Sequence, residues 1–144
     1  MDESAARVRR TGRSRHWTNP KRVLVVNDHF EVRSVITEFL RRRGLIAIPV
    51  RDAASARVVC ERIELDLILL HLVVLDLAET ALIRQVKLLR PTTPIVVVSA
   101  VMTPDLEREC RVLAIDEVLV KPIVLRPLER VISRLLKTSE APPS

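Results

Sequence analysis

Glycine, aromatic residues and cysteine are scarce in this chain, and each shortage excludes something. Two glycines, Gly12 and Gly44, are too few for a glycine-rich phosphate loop. There is no tyrosine, and only Trp17, Phe30 and Phe39 carry rings, so valine, leucine and isoleucine must fill the core. Cys60 and Cys110 are lone thiols 50 residues apart, which is neither a zinc pattern nor the disulfide framework of a secreted domain. No apolar stretch follows the early arginines, as a signal peptide would require. The longest apolar region, Leu67 to Leu77, is interrupted by His71 and Asp76. It falls well short of the ~18 residues that span a membrane. A cytoplasmic protein with no membrane partner is the expectation.

What is present is a length of 144 residues with 48% hydrophobic side chains, which suits one domain with one core. The net charge of +6 is unevenly placed. Residues 1–22 hold seven basic residues against Asp2 and Glu3, whereas residues 23–144 hold 17 basic and 16 acidic ones. The excess therefore sits in an arm. Residues 1–20 lack any apolar period and read as a basic disordered arm. Residues 138–144 read as a disordered tail, which leaves 21–137 as the folded domain.

Within that domain strand and helix patterns alternate. Val23–Asn27 is a short continuous apolar run, the signature of a buried parallel strand. Apolar residues at 32, 35, 36, 39 and 40 form a helical stripe over Phe30–Arg43, and Gly44 sits where a helix stops. Further strands are expected at Leu65–Leu70, Ile95–Ser99 and Val118–Val120, with another at Leu45–Val50. Helices are expected after Asp52, over 79–90, from Pro104 to Leu113, and over Leu125–Lys137. Five β-α units predict an α/β fold, a doubly wound five-stranded parallel sheet with helices on both faces. Ligands on such sheets sit at the carboxyl ends of the strands. Those ends are Asn27-Asp28, His71, Ser99 and Lys121.

Four segments in order, RVLVVND, DLILLHLVVLDLAETALIRQVK, PIVVVSA and VLVKPI, make Arg22 to Lys137 resemble the response-regulator receivers of two-component signalling. The resemblance implies the flavodoxin-like strand order 2-1-3-4-5. It also implies a pocket of two acids after the first strand, an aspartate that accepts a phosphoryl group after the third, a hydroxyl residue and a lysine. The matching positions here are Asn27, Asp28, His71, Ser99 and Lys121, with Pro122 where the family has a cis-proline. Three carboxylates become one. Mg²⁺ prefers hard oxygen ligands in octahedral geometry, so its binding is expected to be weak or absent, and no other cofactor is expected. The aromatic switch position of the family's fifth strand is Val118, and the glycine before that strand is Ala114.

Lys121 needs a counter-charge, and Asp28 is the expected partner. His71 beside Asp28 allows three further ideas: a phosphohistidine, a pH-sensitive group, or a transition-metal site with His29. For the pH-sensitive group, Asp28 would raise the pKa while Lys121 and burial would lower it. The apolar loop Leu72, Val73, Val74, Leu75 and Leu77 is a candidate partner patch, the alternative being a loop folded over the sheet edge. Arg126, Arg130 and Arg134 on the closing helix are a second candidate, the alternative being a solvated face.

Three functions follow. The first is a receiver-like signalling module that works through protein contacts without phosphorylation. Its partners would be a kinase, an output protein or another receiver, or a second copy bound through the last helix. The second is a working receiver with an unorthodox acceptor. The third is a nucleic-acid-associated protein that binds non-specifically through residues 7–22. An enzyme of another class is not expected, because no G-x-S-x-G, G-x-G-x-x-G or P-loop pattern is present.

Overall fold

The first strand, β1 (Arg22–Val26), is apolar on both sides of its pleat because helices cover both faces of the sheet. A computed structural model describes residues 20–72, 77–100, 102–122 and 124–139. After β1 come α1 (Phe30–Arg41), β2 (Ile46–Val50), α2 (Ala53–Arg62), β3 (Leu67–Leu72) and α3 (Leu77–Leu89). The chain continues through β4 (Ile95–Ser99), α4 (Pro104–Val112), β5 (Glu117–Val120) and α5 (Leu125–Ser139). The strands pair in parallel in the order β2-β1-β3-β4-β5, the doubly wound arrangement expected from the sequence. Among the described residues no helix is long and apolar enough to cross a membrane.

Period-two alternation sorts the core into two layers. Val23, Val25, Leu67, Leu69, Val96 and Val98 face Ile36 and Leu40 of α1 and Leu128, Ile132, Leu135 and Leu136 of α5. Leu24, Val26, Ile68, Leu70, Ile95 and Val97 face Ala56 and Cys60 of α2 and Leu82, Ile83 and Val86 of α3. Pro49 lacks an N–H and lies in β2, an edge strand, where the missing donor costs least.

Local chemistry sets the element ends. Gly44 turns the chain out of α1 at φ +82°, a conformation that L side chains resist. Asp52 caps α2 by accepting from the Ser55 N–H at 2.8 Å, and Thr103 caps α4 by accepting from the Leu106 N–H at 3.1 Å, with Pro104 following it. Ala114 takes φ 59° before β5, the position where the family resemblance implies glycine. An alanine there costs roughly 1 kcal/mol relative to glycine.

Several boundaries differ from expectation. The third strand is Leu67–Leu72 rather than Leu65–Leu70. Leu65 is buried, but it precedes the ladder, and Asp66 is taken up by the Arg22 N–H at 2.8 Å. His71 is therefore the penultimate residue of β3, not a residue beyond it. The helix after it begins at Leu77 rather than 79, and α5 runs on to Ser139.

Candidate functional site

Register brings the expected residues to one rim. Val26 pairs with Leu70, so Asn27 is one step beyond β1 beside His71. Leu72 pairs with Ser99, and Ser99 pairs with Val120, which places Lys121 one step past β5. The Lys121 N–H donates to the Ser99 carbonyl at 2.7 Å, and the Lys121–Pro122 peptide is cis, as the resemblance implies. Asn27, Asp28, His71, Ser99 and Lys121 thus share the C-terminal edge of the sheet. Val118 is half-buried against the layer formed with α2 and α3.

The polar groups of this rim are largely committed to one another. Asn27 is buried, and its Oδ1 accepts from the His29 N–H at 2.8 Å. The Asn27 carbonyl accepts from Arg33 Nη1 at 2.8 Å. His29 is the N-cap of α1: its Nδ1 accepts from the Val32 N–H at 3.3 Å. Sequence reading missed this role, because histidine is not among the favoured capping residues. The cap turns His29 towards its own helix. Among the described residues no cluster of three or more ligating side chains could hold a metal ion, so the transition-metal idea finds no support.

His71 and Asp28 form the centre of the site. His71 Nδ1 lies 3.6 Å from Asp28 Oδ1, an electrostatic contact slightly long for a hydrogen bond. The imidazole side chain is only 6% exposed, whereas the Asp28 side chain is 71% exposed. His71 Nε2 is buried and has no hydrogen-bond partner among the described residues. The expected Asp28–Lys121 pair does not form: among the described residues the only ion-pair partner of Asp28 is His71. The reason is position, since Asp28 stands over the end of β3 while Lys121 leaves the far side of the rim after β5.

Burial is the main force on the His71 pKa and pushes it below its ordinary value of 6.5; Lys121 lowers it further, Asp28 opposes, and His29 adds a small depression. The direction left open by the sequence is therefore downward. A depressed folded-state pKa means that the unfolded chain binds its proton first on acidification. The contribution of His71 to stability is thus intact above about pH 6.5, is lost as pH falls below it, and levels off once folded His71 also protonates. Urea midpoints at pH 7.5 and 5.5 should show a larger acid loss for the parent than for His71→Gln. Equal losses in both proteins would contradict the assignment.

For Mg²⁺ these donors are a poor match. The octahedral ion needs several free oxygens. Asn27 Oδ1 and the Asn27 carbonyl are already used, His71 offers nitrogen, and of the two carboxylates that line the hollow here, Asp28 faces His71 while Asp52 caps α2 through Oδ1.

The candidate partner surfaces differ in how far they can be described. Val73, Val74 and Leu75, and the side chains of Leu72 and Leu77, lie outside the described residues. So do residues 7–19 of the basic arm. On α5, Arg126 and Arg130 are exposed, whereas Arg134 pairs with Glu117 at 2.7 Å. Glu129 pairs with Arg43 at 2.8 Å.

Comparison with known proteins agrees with the geometry. The model of the response regulator receiver domain matches residues 23–133. The chain belongs to this family. A response regulator receiver domain protein (CheY-like) from Methanospirillum hungatei JF-1 superposes with TM-score 0.78 at 21% identity, covering 84% of this chain and 97% of that one. A two-component response regulator from Clostridium difficile gives 0.77 at 18% identity, with 84% and 99% coverage. The Thermotoga maritima response regulator TrrA, in complex with Mg²⁺-BeF, gives 0.69 at 20% identity, with 80% and 98% coverage. No curated protein matches the sequence. The receiver's coarse role, a module of two-component signal transduction, follows from the family.

Proposed function

We propose that this receiver is a degenerate member of its family that signals through protein contacts and does not require phosphorylation. The observation that carries this reading is the state of His71 at the acceptor position. Nδ1, one of its two nucleophilic nitrogens, faces the Asp28 carboxylate, and the other, Nε2, is buried. An incoming phosphoryl donor is itself anionic, so Asp28 repels it from Nδ1, and no approach to Nε2 is open. Without a well-held Mg²⁺ the transfer also lacks its main charge neutraliser. These points weigh against a phosphohistidine.

The partner would be a kinase, an output protein or another receiver. The best-described contact surface is the exposed apolar group Val120, Val124 and Leu125, flanked by Arg126 and Arg130, which also suits a second copy joined through α5. Non-specific nucleic-acid binding through residues 7–22 rests on charge alone.

The test is incubation with Mg²⁺ and a small phosphodonor such as acetyl phosphate, followed by intact-mass measurement. The expected spectrum shows the unmodified chain only. A phosphate adduct that disappears in His71→Ala would overturn this reading in favour of an unorthodox acceptor.

A further inference from the structure

In a parallel sheet each connecting helix runs back against the strands, so helix C-termini collect where the strands begin, opposite the rim. Three consecutive arginines stand at that end of α1: Arg41 is its last residue, Arg42 its C-cap, and Arg43 precedes Gly44. The turn 41–44 leads directly into β2. There Ile46 pairs with Arg22, at the start of β1, and donates its N–H to the Lys21 carbonyl at 2.8 Å. Strand register therefore brings Arg22 alongside the turn. Residues 7–15 hold five further arginines and no acid, and they join the fold at this same end because they precede β1.

The charge here is only partly consumed within the fold. Arg43 is the structural member: its Nη2 meets Glu129 Oε1 at 2.8 Å, and its guanidinium lies 4.4 Å from the Phe39 ring centroid. Arg42 meets Glu38 at 2.9 Å, but both side chains are largely exposed, and such a pair yields readily to another anion. Arg41 Nη2 donates to the Ala47 carbonyl at 3.1 Å, a neutral acceptor that holds the guanidinium without cancelling its charge. The Arg22 side chain is exposed and has no carboxylate partner among the described residues; Asp66 accepts from its backbone N–H instead, at 2.8 Å. Glu64 and Asp66, just before β3, oppose the charge on one flank. A single cation answers the dipole of a helix end. Three in succession, with a fourth from another element, exceed that need.

We propose that Arg22 and the arginines of the turn 41–44 form a folded platform for the phosphate backbone of a nucleic acid, continuous with the arginines of residues 7–15. The planar forks of arginine fit two phosphate oxygens each. The turn carries no large apolar side chain to insert into a bilayer, which favours a nucleic acid over a lipid surface. Phosphate contacts carry no sequence information, so the platform adds a folded, sequence-independent grip to the charge of residues 7–22. Phosphate accepted or refused at His71, at the far end of the sheet, leaves these arginines unchanged.

The test is fluorescence anisotropy of a labelled DNA duplex of about two helical turns, titrated with the full chain at several salt concentrations. A Kd of about 10 µM or tighter is expected near 100 mM salt, equal for two unrelated sequences. Arg22→Gln with Arg42→Gln should weaken binding at least about fivefold and flatten the slope of log K against log salt by about 1.8, or about 0.9 for each lost phosphate contact. Arg22→Lys with Arg42→Lys should keep the slope of the parent, because the charges stay. Arg57→Gln with Arg108→Gln removes the same charge from the middle of α2 and α4 and should leave the slope unchanged. No binding by the parent would overturn the proposal. So would an unaltered slope in the first glutamine pair, which confines the contact to residues 7–15, or an equal loss in the second pair, which reduces it to net charge. A lysine pair as impaired as the glutamine pair would assign the loss to structure and overturn it too. Tighter binding to phosphatidylserine–phosphatidylcholine vesicles than to the duplex would assign a lipid surface instead.

Discussion

A chain carrying His71→Asp and Asn27→Asp together will bind Mg²⁺ and accept a phosphoryl group from a small donor, where the parent is expected to do neither. The two substitutions place three carboxylates at the rim, at 27, 28 and 71, and leave Ser99 and Lys121 where the sheet already holds them. At an effective dielectric near 20, one charge pair about 4 Å apart is worth about 4 kcal/mol. Two added carboxylates facing a dication therefore outweigh the repulsion from Lys121. The loop should tolerate the change at 27, because an aspartate oxygen can accept the His29 N–H as Asn27 Oδ1 does now. Aspartate is shorter than histidine, so the change at 71 also opens room beside Asp28. Calorimetry should report Mg²⁺ affinity at least about a hundredfold above the parent, a gain of about 2.7 kcal/mol. Intact mass should report a single phosphate. If the double variant binds Mg²⁺ no better than the parent, the rim backbone rather than its charges has lost the chemistry.

The fold was legible because its signals are strong and redundant. Buried parallel strands read as unbroken apolar runs, and IVVVS appears in the structure at its predicted bounds. Gly44 and Asp52 each act as the local rules require. The start of β3 was misplaced because apolarity reports burial rather than pairing: Leu65 is buried, yet it lies outside the ladder. The site residues were legible as a set, because strand register carries them to one rim. Their pairing was not. Whether Asp28 meets Lys121 or His71 depends on ångström-scale side-chain positions that no spacing rule encodes.

Leu128→Ala should be among the most destabilising single changes on α5, costing about 3 kcal/mol. Leu128 is fully buried, and with Ile132, Leu135 and Leu136 it holds α5 against the layer that also contains α1. Loss of its side chain leaves a cavity beneath a helix whose surface bonds cannot compensate. The Arg134–Glu117 and Arg43–Glu129 pairs are half-exposed, and such pairs are worth about 0.5 kcal/mol each. Pro127 does not weaken the helix start, because N–H groups in the first turn have no intrahelical acceptor to lose. Arg126→Ala and Arg130→Ala should stay within about 0.5 kcal/mol of the parent, since both side chains are exposed and form no ion pair among the described residues. Urea denaturation separates the two classes. The separation matters for function: a loss of partner binding in the arginine variants can be read as a lost contact, whereas the same loss in Leu128→Ala reports a loosened helix. A Leu128→Ala protein as stable as the parent would mean that α5 is held by its rim charges, and the arginines could then no longer be assigned to a partner.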